Sequence, residues 1–372
     1  MKPKSQALTN QVKAYRTKKG LSQTQLAELA GVKRQAIYDI ESGKYAPNTL
    51  IALRLAKHLS CRVEDIFNEK VEDLASFTLV GPPLEHVARV SLAKVRDRLI
   101  AYPLPGSDPF NTNFEAADGL LSPGQDNVKL LCPPDMPDKT LILLGCDPAF
   151  ALLSAHVSRK AADMRINYRF ASSLKAVNGV ASGHAHLAGT HLHPGTKVHG
   201  DNIVLAKKSL GQKPATIIGF SQIEEGLLVA PGNPYSIRSL EDLTNPKVRL
   251  INRESGAALR ILLDDLLEKQ GIPPEKIPGY DDVVRSHTEG VMRVLYRKAD
   301  AALGFRAIAN MYGLDFIPLI SANCELVLPQ DLLEHPAMKI LLDTLQTRAL
   351  RNELKALAGY DTESTGSIIA EI

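Results

Sequence analysis

Between residues 20 and 60 the apolar residues recur at helical spacing. Leu26, Leu29, Val32, Ile37 and Ile40 form the apolar side of two short helices, predicted over Gln23–Ala30 and from about Lys33 to Glu41. Ser22 is placed to cap the first, because its hydroxyl can accept an otherwise orphaned backbone N–H. Gly31 follows where the chain must turn sharply, a position that favours a left-handed backbone. Asn48 can cap a further helix, whose Leu50, Leu53, Leu55 and Leu59 are expected to continue the same core. Helix, glycine turn and helix together imply a helix-turn-helix.

From about Thr140 the pattern changes to alternating strand and helix. Strands are predicted at Thr140–Leu144, Arg165–Phe170, Ala185–Thr190, Lys247–Ile251, Ala301–Phe305 and Phe316–Ile320. Helices are predicted after Gly145-Cys146-Asp147-Pro148, after Ser172-Ser173, after Asn252-Arg253-Glu254-Ser255-Gly256, near Glu289–Lys298 and over Arg306–Tyr312. The fold class is therefore an all-α helix-turn-helix head joined to an α/β body. Ligands of such a body are expected where strand ends meet helix starts, whose exposed amides can hold an anion. Residues 71–139 contain several prolines and read as a linker and connecting region. The expected domains are 1–70, 71–139 and 140–372.

Charge sharpens the division. Residues 1–70 carry a formal charge of +7, while the whole chain of 372 residues carries +3, leaving the remainder at −4. A basic head on a mildly acidic body suits a DNA-binding module attached to something that does not bind DNA. No apolar run approaches the ~18 residues needed to span a bilayer. The first residues, MKPKSQALTNQ, lack the apolar core of a signal peptide. Cys61, Cys132, Cys146 and Cys324 form no C-x-x-C pair and read as reduced thiols. A cytoplasmic protein without a membrane partner is expected.

The head resembles the XRE, or phage-repressor-like, helix-turn-helix family through GLSQTQLAELAGV, RQAIYDIESGKYAP and VEDIF. That resemblance implies double-stranded operator DNA as partner. It implies base reading by Arg34 and Gln35, and a backbone anchor at Gln23. Guanine suits arginine and adenine suits glutamine in the major groove. Lys33 begins the same helix, Tyr38 lies one turn on, and Lys44, Tyr45 and Asn48 fall where phosphate contacts are expected. The body resembles the periplasmic-binding-protein-like domains related to molybdate and tungstate receptors. The residues carrying this are GCDPAFALL, HAHLAGTHLHP, EEGLLVAPGNP, VRLINRESGAALRILLD, ADAALGF and GLDFIPL. The resemblance implies two α/β lobes closing on a ligand. Ala257 and Leu259 offer no hydroxyl after the Asn-Arg pair, so the effector expected is an oxyanion or small carboxylate rather than molybdate in particular.

The expected ligand-binding residues are Gly145, Cys146, Asp147, Ser172, Ser173, His191, Asn252, Arg253, Ser255, Gly256 and His287. Several have plainer readings. Cys146 would need a base beside it to act as a nucleophile, and otherwise packs under the cleft. Asp147 suits a helix cap. Arg253 can neutralise an anion or pair with Glu254, and Arg260 can pair with Asp264. Five of the ten histidines, His184, His186, His191, His193 and His199, crowd one segment. Their i, i+2 pairs would point the same way on a strand and could hold zinc or nickel. No metal or other cofactor is required by the main reading, a homodimeric, ligand-responsive DNA-binding regulator that is not an enzyme. The alternatives are a metal sensor built on the histidine segment and an enzyme with a DNA-binding head.

Overall fold

The computed structural model describes residues 8–69, 74–104, 115–125, 127–193 and 201–372. They belong to two compact units, Met1–Asp73 and Leu74–Ile372.

The first unit opens with strand β1 (Leu8–Asn10) and helix α1 (Val12–Lys18). The helix-turn-helix follows as α2 (Gln23–Ala30) and α3 (Arg34–Glu41), then α4 (Thr49–Leu59) and the single turn α5 (Val63–Ile66). Strand β2 (Phe67–Glu69) returns antiparallel to β1, adding a strand pair to an otherwise helical unit. The local signals act as their chemistry dictates. The Ser22 hydroxyl accepts from the Gln25 amide, the Gln25 side chain accepts from the Ser22 amide, and Gly31 closes α2 at φ 70°. Asn48 caps α4 by accepting from the Ile51 amide at 3.0 Å. Leu26, Ala30, Ile37, Ile40, Leu55 and Leu59 are buried together with Val12 and Ile66. Three leucines expected in that core are not in it: Leu29, Leu50 and Leu53 are 45%, 56% and 55% exposed. At about 100° per residue, Leu29 lies about 200° round α2 from Ala27, and Leu53 the same angle round α4 from Leu55.

The second unit begins with a small sheet. Its strands are β3 (Leu74–Ala75), β4 (Phe77–Leu79), β5 (Ala88–Val95), β6 (Arg98–Pro103), β7 (Gly119–Leu121) and β8 (Asn127–Leu130), ordered β3-β8-β7-β5-β6-β4. Much of 71–139 is thus folded sheet rather than linker, and the prolines Pro103 and Pro123 lie at strand ends, where a lost N–H costs no ladder bond. This sheet is anchored to the larger one by Arg98 to Ser182 O (2.7 Å), Tyr102 OH to His184 O (3.0 Å) and Arg165 to Asp118 (2.7 Å).

The first lobe contains β9 (Thr140–Gly145), α6 (Phe150–Lys160), β10 (Arg165–Phe170), α7 (Ser173–Ala181), β11 (Leu187–Thr190) and α8 (Asn202–Leu210). A 15-residue strand, β12 (Ala215–Val229), leaves it for the second lobe. That lobe comprises β13 (Leu250–Arg253), α9 (Ala258–Gln270), β14 (Val283–Val284), α10 (His287–Leu295), β15 (Ala301–Phe305) and α11 (Arg306–Tyr312). A second long strand, β16 (Asp315–Pro329), returns, followed by α12 (Pro336–Leu345), α13 (Arg348–Lys355), β17 (Tyr360–Asp361) and β18 (Ile368–Glu371). The strand order is β10-β9-β11-β16-β12-β15-β13-β14, with β17 and β18 paired to β12. Within each lobe the βα strands are parallel, whereas β12 and β16 run antiparallel and join the lobes. Their pairing slips between Gly219 and Ser221 and again between Glu225 and Gly226. The C-terminal ends of β9, β10, β11, β13 and β15 all lie toward this crossing, which is where the site forms.

Candidate functional site

A narrow cavity lies between the lobes, lined by Cys146, Ser172 and His191 from the first and by Arg253, Ala257, Ala258, Leu259 and His287 from the second. Each side chain arrives from a strand end. Cys146 follows β9, Ser172 precedes α7, His191 follows β11, Arg253 ends β13 and His287 starts α10. Neither α7 nor α9 has a side-chain N-cap bond. The first-turn amides of a helix have no partner within it, so these two starts present donors and the positive end of a dipole.

His191 links the cavity to the core behind it. Its Nε2 is 2.6 Å from the Cys146 Sγ, and its Nδ1 is 2.6 Å from Glu225 Oε1. Its backbone N–H donates to the Ser173 hydroxyl at 3.3 Å. The other Glu225 oxygen lies 3.0 Å from His193 Nε2. All of these residues are buried. Burial opposes protonation of His191, but the Cys146 thiol and the Glu225 carboxylate on its two nitrogens raise it well above the usual imidazole range. Burial alone would raise Glu225, yet the His191 and His193 rings bring it down to about 2. His287 moves the opposite way, held well below the usual range by burial and by the charges of Arg253 and His191.

Arg253 is 3% exposed. Its guanidinium is shared between Glu254 at 3.2 Å and the His287 ring at 3.2 Å, and lies 5.7 Å over the Phe170 ring. Phe305, fully buried in the core, packs behind both histidines, 4.3 Å from His287 and 5.6 Å from His191 between ring centres. Arg253, His191 and the helix starts of α7 and α9 therefore converge on one small space.

Of the eleven expected ligand residues, five line the cavity: Cys146, Ser172, His191, Arg253 and His287. The other six have different work. Gly145 packs against Phe150, so tightly that a Cβ would overlap the ring. Asp147 accepts from the Ala149 amide at 2.8 Å in the turn before α6, whose N-cap is Ala149 and not the expected Asp147, and from Tyr360 OH at 2.5 Å. Burial raises its carboxyl above the usual range, against the pull of these bonds. Ser173 is fully buried as the acceptor for His191. Asn252 accepts from the Arg253 amide and donates to Tyr280 O, fixing the end of β13. Ser255 is exposed and Gly256 makes the turn at φ 84°. Arg260 pairs with Asp264 at 2.9 Å. Sequence reasoning passed over Glu225, and it set aside Ala257 and Leu259 for want of hydroxyls although their backbone borders the cavity.

The histidine segment does not gather into one cluster. His186 accepts from the Ile142 amide at 2.9 Å, approaches Lys94 O at 3.1 Å and packs on the His335 ring. His191 and His193 point together, as the spacing predicts, but toward Glu225. His199 lies outside the described residues. Among the described residues, no group of three or more His, Cys, Asp or Glu side chains is arranged to hold a metal ion.

On the head, Lys33, Arg34, Gln35 and Tyr38 occupy the exposed side of α3. The amides of Lys44 and Tyr45 donate to Asp39 O at 2.9 and 3.2 Å, holding that loop beside α3, and Lys44 Nζ sits 5.5 Å over the Tyr38 ring. Gln23 donates to Glu41 at 2.9 Å, a carboxylate also held by Arg16 at 2.6 Å. Gln35 donates to Asp39 at 3.0 Å. The eight candidate DNA residues, Asn48 included, thus lie on α3, the loop after it, or the starts of the flanking helices. No helix among the described residues is long and apolar enough to cross a membrane.

Comparison with known proteins gives both parts a family. Residues 154–346 match the family model of the PBP superfamily domain, and residues 12–66 match that of the helix-turn-helix. The uncharacterised protein YvgK of Bacillus subtilis (strain 168) is 29% identical over 231 residues, 62% of this chain and 74% of its own length. The uncharacterised HTH-type transcriptional regulator YgzD of the same organism is 43% identical over 60 residues, 16% of this chain and 91% of its own. Among solved structures, L-phospholactate-bound PEB3 is 15% identical with a TM-score of 0.43, covering 59% of this chain and 99% of that one. The sulfate-binding protein SubI from Mycobacterium tuberculosis H37Rv is 16% identical with a TM-score of 0.44, covering 60% of this chain and 86% of that one.

Proposed function

The chain belongs to the PBP superfamily and carries a helix-turn-helix domain at its head, and on that premise we propose that it is a DNA-binding transcription regulator whose effector is a small oxyanion or carboxylate. The carrying observation is Arg253. It is almost wholly buried, yet it lines the cavity between the lobes, opposite Cys146 and His191 and beside the uncapped start of α9. Glu254 takes one side of the guanidinium and Glu225 balances His191, and an anion would be held by the rest of the guanidinium and the first-turn amides. Arg34 and Gln35 read operator bases in this scheme, and a cytoplasmic homodimer places two heads on a two-fold-related site.

Calorimetry against molybdate, tungstate, sulfate, phosphate and small carboxylates tests the effector class. One of these should bind, and Arg253→Ala should weaken it about tenfold or more, the loss of a charge-assisted hydrogen bond being about 1.5–3 kcal/mol. Ser172→Ala should cost less, because the helix-start amides stay in place. Failure of the whole panel to bind would remove the anion reading. The enzyme alternative is favoured by one contact, the 2.6 Å approach of His191 to the Cys146 thiol. Turnover of a bound ligand would establish it.

A further inference from the structure

We propose that Cys146 is a nucleophile whose proton passes to His191, and that the cleft bonds covalently to a small electrophile carrying an acid group. The acid group rests on the anion reading above. The covalent bond rests on a separate set of contacts. Cys146 Sγ, the His191 ring and the Glu225 carboxylate form a relay with 2.6 Å at each step. That is the order in which a nucleophile, its base and the group that orients the base must stand. Ser173 fixes the His191 backbone from below.

A thiol that merely fills space has no use for this support. Burying a carboxylate costs several kcal/mol unless it is paired, and Glu225 is wholly buried behind the imidazole. Cys146 is 6% exposed and is one of the residues that line the cavity. The other cysteines are built differently. Burial raises the Cys61, Cys132 and Cys324 thiols, Cys324 furthest, so they stay protonated and serve as internal controls.

With a carbonyl acid the step balances without a co-reactant. The Cys146 thiolate lone pair forms the S–C bond at the carbonyl carbon. The C=O π pair moves to oxygen, which takes the proton held on His191. The product is a hemithioacetal, nothing is oxidised or reduced, and the reverse step restores the free thiol. The cavity between the lobes is about 10 Å³, so the lobes must part to admit such a ligand, and Arg253 and the first-turn amides of α9 would then hold its acid group. Reversible capture of this kind makes a receptor selective for ligands that bear both groups.

Iodoacetate and iodoacetamide are matched acidic and neutral probes, each losing iodide as the S–C bond forms. They are applied to the full chain, with intact-mass and peptide readout. Expected at pH 6 is alkylation of Cys146 about tenfold or more faster than Cys61 and Cys132, with iodoacetate faster than iodoacetamide, the reverse of an ordinary thiol. Arg253→Gln should remove the iodoacetate preference and keep the iodoacetamide rate. His191→Asn should slow Cys146 with both probes about tenfold or more. Glu225→Gln, and the wild-type pH profile itself, serve if that variant does not fold. The titratable and charged groups around the pair are Glu225, His193, Asp147, Tyr168, Cys324, Arg253 and His287. Wild-type labelling of Cys146 no faster than that of Cys61 and Cys132 overturns the nucleophile and leaves the anion cleft standing. Fast, His191-dependent labelling without preference for iodoacetate removes the acid-bearing electrophile and the anion reading together.

Discussion

Arg34 and Gln35 are neighbours on the exposed first turn of α3, but they begin from different states. Gln35 already donates to Asp39 and must release that bond to reach a base. Each substitution, Arg34→Ala and Gln35→Ala, should weaken binding to the operator by about 1–3 kcal/mol, the arginine loss being the larger, and should barely change binding to random duplex. Lys44→Ala should weaken both duplexes alike and flatten the salt dependence, since a phosphate contact carries no sequence information. Titration of both duplexes at two salt concentrations decides this, and equal losses on both for Arg34→Ala would remove it from base readout. These head residues were legible from sequence because caps, turn and polar face are all local. Glu225 was not, because an acid next to another acid in IEEGLLV reads as a solvated charge. Its burial became plain only with the strand in place. Ile223, Glu225 and Leu227 share one side of β12, and both flanking residues are fully buried, so the carboxylate had to be buried with them.

β12 and β16 are the elements that make one cleft from two lobes, and β12 was not predicted. Its burial is nearly continuous over 15 residues, because it has strands on both edges and helices over its faces. Alternation, the usual mark of a strand, is therefore missing. The sheet of residues 74–130 was legible only in part: residues 87–102 and 128–131 read as segments that could pair with the body, whereas Leu74 and Val128, which pair, are far apart in sequence. By contrast the βα units from Thr140 onward were legible, each being one apolar run followed by one turn and one helix. The two long strands touch most closely at Gly226, beside the slip in pairing. A Cβ there would stand 2.1 Å from the Ile317 carbonyl oxygen, a backbone atom that cannot swing aside. Gly226→Ala should therefore destabilise the body by about 1–3 kcal/mol through overpacking, and it should disturb the crossing that carries Glu225. Thermal and denaturant unfolding of the full chain measures this. A variant as stable as the parent would mean that the strands separate there at no cost.

At the scale of the molecule, a basic helix-turn-helix unit and a mildly acidic ligand-binding unit share one chain, and the consequence is thermodynamic. If effector in the cleft changes operator affinity by some factor, operator must change effector affinity by the same factor, whatever the path between the sites. Couplings of this kind are about 1–3 kcal/mol, or roughly 5- to 150-fold. The direction, activation or release, is free, but the equality is not. Effector titrated calorimetrically with and without saturating operator duplex gives one factor. Operator titrated with and without saturating effector gives the other. Both must be measured at one salt concentration, because the phosphate term alone moves DNA affinity by orders of magnitude. Agreement of the two factors, and their joint disappearance in Arg253→Ala, is expected of a regulator whose cleft is the sensor. Factors that differ would reveal a further linked equilibrium, which dimer dissociation would supply and a dependence on protein concentration would expose. Factors of one for an effector that binds would mean that the cleft and the operator are not coupled, and the regulatory reading of the body would fall.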